Sequence, residues 1–213
     1  MEEIIILGAG GLAREVVFVI EEINRISPKW KILGYADLQE EKVGKKVGKH
    51  SIICTEEDLL QKEVSVAVGI GNPKILQELY EKLKKYPNLS FPNLLHPNIV
   101  LDSETVIMGE GNIVCAGSVF TVNVKVGSFN YFNLACTYGH DTEIGNACVV
   151  NPGVNVSGGA KIGDACLIGT GAKILQYINI GSESRIGAGA VVIKDVPPSM
   201  TVVGVPAEPL KKR

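Results

Sequence analysis

Between Ile162 and Val192 the chain reads IGDACLIGTGAKILQYINIGSESRIGAGAVV, with an apolar residue at every sixth position. The same register runs back to Met108 without insertion or deletion. It gives fifteen apolar positions in succession: Met108, Val114, Phe120, Val126, Phe132, Tyr138, Ile144, Val150, Val156, Ile162, Ile168, Ile174, Ile180, Ile186 and Val192. A six-residue period fits neither an α-helix nor a hairpin array. It predicts short strands separated by turns, each strand stacking on its equivalent in the next coil.

The neighbouring columns of this repeat support the same structure. Three units per triangular coil would make five coils, about 24 Å tall at the usual strand spacing of ~4.8 Å. Glycine follows the apolar residue at eight positions, where we expect it to let the chain turn: Gly109, Gly127, Gly139, Gly145, Gly163, Gly169, Gly181 and Gly187. Small or β-branched residues stand two places before it and are predicted to fill an inner corner: Ser118, Val124, Cys136, Thr142, Cys148, Val154, Ala160, Cys166, Ala172, Ser184 and Ala190.

Length and composition narrow the class of protein. A chain of 213 residues predicts two domains, and we place them at residues 1–92 and 93–213. The net charge of −2 and the absence of a basic patch argue against a nucleic-acid partner. No apolar run approaches the ~20 residues that a membrane span needs. The acidic N-terminus is unlike a secretion signal, so we expect a cytoplasmic protein.

The first half of the chain alternates strand and helix patterns, which predicts a small parallel α/β sheet. The buried strand Glu3–Leu7 leads through a Gly-rich turn into a helix beginning at Leu12. Asn72 and Pro73 have the residue types of an N-cap and a first helical residue. Further strands are predicted at Ile32–Ala36, Ser51–Cys54 and Val64–Val68.

The turn after the first strand is a candidate anion site. Gly8-x-Gly10-x-x-Ala13 is close to the dinucleotide fingerprint, and Asp37 follows the second strand as a ribose-binding acid would. Free backbone N–H groups at a helix start suit a phosphate. About ninety residues supply half of a two-nucleotide fold, so a mononucleotide fits better. The alternative is a turn that merely connects strand to helix.

The repeat resembles that of the hexapeptide-repeat acyltransferases. The likeness is carried by Ile162-Gly163-Asp164-Ala165-Cys166, by Ile186-Gly187-Ala188-Gly189-Ala190 and by the closing Val203-Gly204-Val205-Pro206-Ala207. The resemblance implies a left-handed parallel β-helix, a homotrimer and the use of acetyl-CoA. The expected fold class is therefore an α/β Rossmann-like domain followed by an all-β left-handed β-helix. No metal is expected, because the repeat holds a single histidine.

The order of the two parts is more specific than either part. It resembles the subfamily of nucleotide-sugar N-acetyltransferases and sialic acid O-acetyltransferases, in which the first domain holds the nucleotide of the acceptor. The resemblance implies contacts at Gly10, Gly11, Leu12, Asp37 and Gly71. Members of the subfamily often carry His where this chain has Leu12, so one polar contact is absent here.

His140 is the candidate general base among the three histidines. His50 lies in a polar stretch and His96 at the domain junction, where surface and structural roles are expected. His140 falls in an outward-facing column, and Gly139-His140-Asp141 resembles the subfamily's catalytic segment, with Asp141 where many members have Glu.

The resemblance also implies positions for the oxyanion and for the co-substrate. A backbone N–H of Ser157-Gly158-Gly159, Gly158 first, would meet the oxyanion. Val149, Thr170 and Ala188 would contact acetyl-CoA in a groove between two protomers.

Other functions stay open at the level of sequence. The glycines alone would suit an NAD-dependent oxidoreductase, and a scaffold would bind no acetyl-CoA. Gamma-type carbonic anhydrases share the helix but need three His ligands, whereas the repeat holds only His140. Serine acetyltransferases carry a helical first domain. Acetylation of the amino group of a UDP- or GDP-linked 4-amino sugar is our first choice, and O-acetylation of sialic acid is the alternative.

Overall fold

The computed structural model describes residues 1–210 and begins with an α/β unit. Its central sheet has the order β3-β4-β2-β1-β5-β6 and is parallel except for the β3–β4 pair. Helices α1 and α3 each bury one apolar face. The elements are β1 (Glu2–Leu7), α1 (Gly11–Ile26), β2 (Trp30–Asp37), a 3₁₀ turn (Glu40–Lys42), β3 (Lys46–Val47), β4 (His50–Thr55), α2 (Glu56–Leu59), β5 (Val64–Val68), α3 (Pro73–Leu83) and β6 (Leu89–Ser90).

Local sequence signals account for most of these boundaries. The Asn72 side chain accepts a hydrogen bond from the backbone N–H of Lys74 at 3.1 Å, and Pro73 opens α3, as predicted. The four predicted strands are present as β1, β2, β4 and β5. The short helix α2 was not predicted; it is capped by Thr55, whose side chain accepts from the N–H of Asp58.

The second part consists of two-residue strands at regular intervals. The predicted apolar residues from Met108 to Val192 are the second residues of strands β9 to β23, and all except the partly exposed Met108 are buried. The strands are β7 (Leu94–Leu95), β8 (Val100–Leu101), β9 (Ile107–Met108), β10 (Ile113–Val114), β11 (Val119–Phe120), β12 (Lys125–Val126), β13 (Tyr131–Phe132), β14 (Thr137–Tyr138), β15 (Glu143–Ile144), β16 (Val149–Val150), β17 (Asn155–Val156), β18 (Lys161–Ile162), β19 (Leu167–Ile168), β20 (Lys173–Ile174), β21 (Asn179–Ile180), β22 (Arg185–Ile186), β23 (Val191–Val192), β24 (Thr201–Val203) and β25 (Glu208–Pro209).

These strands form the three faces of a left-handed parallel β-helix. The first face contains β7, β10, β13, β16, β19, β22 and β24, with β25 added antiparallel. The second face runs from β8 to β23 in steps of three strands, and the third from β9 to β21. Because β7 and β8 precede the predicted repeat and β24 follows it, the helix extends beyond the five coils expected from the sequence.

The corners show why the glycines of the repeat are needed. A methyl group on Gly145 would lie 2.9 Å from the backbone N of Asp164, and one on Gly169 would lie 2.5 Å from the N of Ala188. These glycines therefore permit the close approach of the next coil. The turn expected at these glycines has its left-handed residue two positions later, as at Ala147, where φ is 55°.

The inner column of small residues is buried, as predicted. Every member from Ser118 to Ala190 is fully inaccessible to solvent. Cys136, Cys148 and Cys166 in this column are free thiols packed in the interior of the β-helix. Their packing alone accounts for their presence.

The α/β unit packs on the first face of the β-helix and on the corner between the third and first faces. Phe129 at that corner contacts Tyr80 and Phe91, with ring centroids 5.0 and 4.9 Å apart. The Tyr131 hydroxyl on β13 donates to the Glu15 carboxylate on α1 at 2.7 Å. The position of the α/β unit on the β-helix is thus fixed by apolar contacts and a hydrogen bond.

Tyr138 provides a test of the packing inside the β-helix. Its ring stacks on Phe120 with centroids 4.4 Å apart, while its buried hydroxyl has no hydrogen-bond partner within residues 1–210. Replacing Tyr138 by Phe should keep the stacking and remove an unsatisfied polar group, which raises the free energy of unfolding by about 1 kcal/mol. Chemical denaturation measures this change, and a clear loss of stability would contradict it.

Candidate active site

His140 and Asp141 lie at the corner between the second and third faces, between β14 and β15. The Nδ1 atom of His140 is 2.8 Å from Oδ2 of Asp141, and both side chains are about half exposed, at 54% and 58%. Asp141 has a left-handed backbone with φ of 58°, which Asp adopts more readily than most residues. The carboxylate accepts a hydrogen bond from the protonated Nδ1, which leaves Nε2 as the basic nitrogen.

A third residue, Asn123, holds the other carboxylate oxygen. Its Nδ2 donates to Oδ1 of Asp141 at 3.1 Å. The hydrogen bonds from His140 and then from Asn123 lower the pKa of the Asp141 carboxyl, so Asp141 is ionised at neutral pH. Sequence reasoning missed Asn123, although it precedes Asp141 by eighteen residues, which is one coil.

Gly158 lies one coil beyond His140 and against its ring. A methyl group on Gly158 would collide with Nε2 of His140. The neighbouring N–H groups are engaged: Ser157 N donates to Ile174 O at 2.9 Å and Gly159 N to His140 O at 2.7 Å. Gly158 N has no backbone partner within residues 1–210. The basic nitrogen and a free N–H donor are thus next to each other.

Tyr177 stabilises the turn that presents this donor. Its backbone N–H donates to the Gly158 carbonyl at 3.1 Å, and its ring lies against Gly159, where a methyl group would collide with it. Its φ of 61° is uncommon for a large side chain, and the side chain is exposed. Tyr177 was not predicted as a site residue.

A cleft of about 290 Å³ lies at the carboxyl ends of β1, β2 and β5. Gly10, the N-cap of α1, lines it, and a side chain there would meet open space. Asp37, nearly buried at the end of β2, accepts from the N–H of Gln39 at 3.1 Å and pairs with Lys42 at 3.3 Å. The helix start and Lys42 suit a phosphate group. Lys42 was not predicted.

The remaining predicted nucleotide contacts lie outside this cleft. Gly11 is the first residue of α1 and is exposed. Leu12 leans over Gly71, where an added methyl group would lie 3.2 Å from Leu12 Cδ1. The structure therefore brings Gly10 and Asp37 together and places Gly11, Leu12 and Gly71 beside them, outside the lining of the cleft.

The three residues expected to contact the co-substrate separate into two places. Thr170 and Ala188 are exposed and stack one coil apart at the corner between the first and second faces. Val149 is only 2% exposed and belongs to the core shared by the α/β unit and the first face. The expectation for Val149 is therefore corrected, because its side chain is covered by the α/β unit and does not reach an outer groove.

The other two histidines take no part in this arrangement. His96 is buried and its Nδ1 accepts from the backbone N–H of Asn98 at 2.9 Å, a structural role. His50 begins β4, and its ring approaches Tyr35 edge-on. Residues 1–210 contain no cluster of His, Cys, Asp and Glu suited to a metal ion, and no helix among them could span a membrane.

Two family models match parts of the chain, one in each half. The sequence matches the PglD N-terminal domain over residues 3–83 and the bacterial transferase hexapeptide (six repeats) over residues 141–176. Both parts of the chain are thus similar to parts of hexapeptide-repeat acyltransferases. A search of curated proteins found no significant match.

Solved structures similar to this acyltransferase extend over the whole chain. A histidine-to-asparagine variant of perosamine N-acetyltransferase from Caulobacter crescentus, in complex with CoA and GDP-perosamine, has a TM-score of 0.90 at 26% identity and covers 100% of this chain and 98% of its own. The acetyltransferase domain of PglB from Neisseria gonorrhoeae, in complex with acetyl coenzyme A, has 0.88 at 29%, covering 98% and 99%. WeeI from Acinetobacter baumannii has 0.85 at 29%, covering 99% and 100%.

The contact between His140 and Gly158 leads to a testable prediction for this acyltransferase. Gly158→Ala adds a methyl group in the space that Nε2 occupies, so the imidazole is displaced from the free N–H. We expect the rate of acyl transfer to fall about 10²-fold or more, with the cooperative unfolding transition retained. Gly153→Ala is the control: a methyl group there meets no atom within 4 Å, and alanine already adopts a similar left-handed backbone at Ala147 and Ala165. Equal rates in the two variants would contradict the prediction.

Proposed function

We propose that this acyltransferase transfers the acetyl group of acetyl-CoA to the amino group of a nucleotide-linked amino sugar. The observation that carries the proposal is the imidazole of His140, which Asp141 holds through Nδ1 at 2.8 Å and whose Nε2 lies beside the free N–H of Gly158. Acyl transfer to an amine needs a base for the acceptor's proton and a donor for the oxyanion. This corner of the β-helix offers both.

The proposed chemistry is direct transfer in a ternary complex. The acceptor nitrogen attacks the thioester carbonyl carbon, and Nε2 of His140 takes the proton that the nitrogen loses. The Gly158 N–H stabilises the oxyanion of the tetrahedral intermediate. The C–S bond then breaks, and the CoA thiolate leaves and accepts the proton from His140. No acetyl-enzyme forms. Asp141 stays ionised and stabilises the imidazolium.

The acceptor is proposed to bind at the cleft of the α/β unit. Gly10 and the start of α1 would meet a phosphate, and Asp37 would contact the ribose or the nucleotide beside it, with Gly11, Leu12 and Gly71 at the margin. Relatives of similar fold bind CoA, acetyl coenzyme A and GDP-perosamine. These complexes support an amine acceptor over a hydroxyl acceptor. We further propose residues 1–92 as the acceptor domain and residues 93–213 as the acetyl-transfer domain.

The active site is proposed to form between protomers of a homotrimer. The α/β unit packs on the first face, while His140 lies at the opposite corner, between the second and third faces. Thr170 and Ala188 occupy yet another corner, at the far edge of the second face from His140. A neighbouring copy is needed to bring an acceptor cleft and a co-substrate groove next to His140. In a trimer with three-fold symmetry, every protomer would have such a neighbour and the assembly would be closed.

Replacing His140 tests the proposed base. His140→Ala should lower turnover by about 10²–10⁴-fold while the protein stays folded. Release of CoA thiol, measured with acetyl-CoA and a panel of UDP-, GDP- and CMP-linked amino sugars, follows the reaction. His50→Ala is the matched control and should keep the wild-type rate. Full activity in His140→Ala would overturn the role of this histidine.

Mixing inactive protomers tests the shared site. Gly10→Asp places a negative charge in the acceptor cleft, where the side chain meets open space, and His140→Ala removes the base. If each site combines the cleft of one protomer with His140 of another, random co-assembly should restore about a quarter of the wild-type rate. A site built within one chain gives no recovery.

A further inference from the structure

We propose that Asn123 is a positioning residue that holds Asp141, and through it His140, in the geometry for catalysis. This inference rests on the proposed function. Asn123 lies one coil before Asp141 at the same corner, and both residues have a φ of 58°. Its Nδ2 is 3.1 Å from Oδ1 of Asp141, while Oδ2 is 2.8 Å from Nδ1 of His140. The carboxylate is thereby held at both oxygens.

Asn123 is itself anchored by the coil that precedes it. Its backbone N–H donates to Oγ1 of Thr105 at 2.8 Å, and the Thr105 hydroxyl donates to the Asp102 carboxylate. The hydrogen bond from Thr105 also lowers the pKa of the Asp102 carboxyl, which keeps this acceptor ionised. A series of hydrogen bonds, one of them through the backbone N–H of Asn123, thus connects three successive coils and ends at the imidazole.

Asn123 matters because the His140–Asp141 pair is exposed to solvent. Asp141 is 58% exposed, so water competes for its oxygens and a carboxylate held at one oxygen would rotate. The nearby ammonium groups of Lys125 and Lys161 pair with Glu143 instead, at 3.7 and 3.4 Å. Among residues 1–210, Asn123 is the side chain besides His140 that donates to Asp141.

The consequence for catalysis concerns the tautomer of His140. With the carboxylate fixed, the proton stays on Nδ1 and the lone pair of Nε2 faces Gly158. If the carboxylate rotates toward solvent, the ring loses this restraint and populates the tautomer protonated at Nε2. That tautomer cannot accept the acceptor's proton at the position beside the oxyanion donor.

Asn123→Gly tests the role because Gly accepts the left-handed backbone and removes only the amide. We expect kcat to fall about 3- to 10-fold, as for the loss of one hydrogen bond, with KM for acetyl-CoA unchanged. Glu183→Gly is the matched control: Glu183 is also exposed and left-handed, with φ of 62°, but lies at the corner between the third and first faces. It should keep the wild-type kcat.

A double-mutant cycle separates positioning from structure. If Asn123 acts through Asp141, then Asn123→Gly should cost nothing further in an Asp141→Asn background. Additive losses would overturn the proposal, since they would mean that Asn123 acts elsewhere. An unchanged kcat in Asn123→Gly alone would overturn it as well.

Histidine ¹⁵N NMR gives a readout that needs no acceptor. The chain has three histidines, and the His140→Ala spectrum assigns the signal of interest. Asn123→Gly should shift His140 toward the tautomer protonated at Nε2, while Glu183→Gly leaves it unchanged. An unchanged tautomer in Asn123→Gly would refute the positioning role alone. An active His140→Ala enzyme would refute the proposed function instead.

Discussion

Backbone hydrogen bonding between successive coils is the constraint on which the second domain depends. From β9 to β23 each strand pairs in parallel with the strand eighteen residues away, as β13 does with β16 and β16 with β19. The coils approach so closely that Gly145 and Gly169 have no space for a methyl group. The interior is correspondingly narrow and is filled by one large apolar and one small residue per strand. Loss or gain of a residue within a strand would therefore shift the register of that strand against its neighbours in the adjacent coils.

The same register brings the proposed catalytic groups together. Residues eighteen apart lie above one another at a corner, so Asn123, Asp141 and Gly159 occupy equivalent positions in three coils. His140 lies in the column next to them and directly against Gly158. The side chains of His140 and Asp141 at this corner are about half exposed and contribute little to the core, so an acid, a base and a bare N–H fit there without loss of packing. The site is thus a local property of a repeated backbone.

The sequence predicted the parts of the structure that a periodic pattern determines. The apolar and small columns were predicted correctly because burial leaves a direct trace in residue type, and Asn72 with Pro73 marked the start of α3. Val149 was expected from the family resemblance to line an outer groove, but its side chain is covered by the α/β unit, whose position the repeat does not reveal. Asn123 could have been predicted from the repeat, because it precedes Asp141 by one coil. Lys42 could not, because its 3₁₀ turn has no periodicity and its contact with Asp37 depends on the tertiary structure.

The coil length has a consequence for how this molecule can vary. The six-residue period keeps the apolar residue of each strand facing inward. Loss of one residue within a face would turn the apolar residues of the later strands toward the surface. Gain or loss of eighteen residues, which is one coil, would preserve this period and change only the length of the β-helix. Extra residues are otherwise tolerated where they bulge from a corner. The β-helix can therefore change by whole coils or by loops at its corners, while the number of residues in each face stays the same.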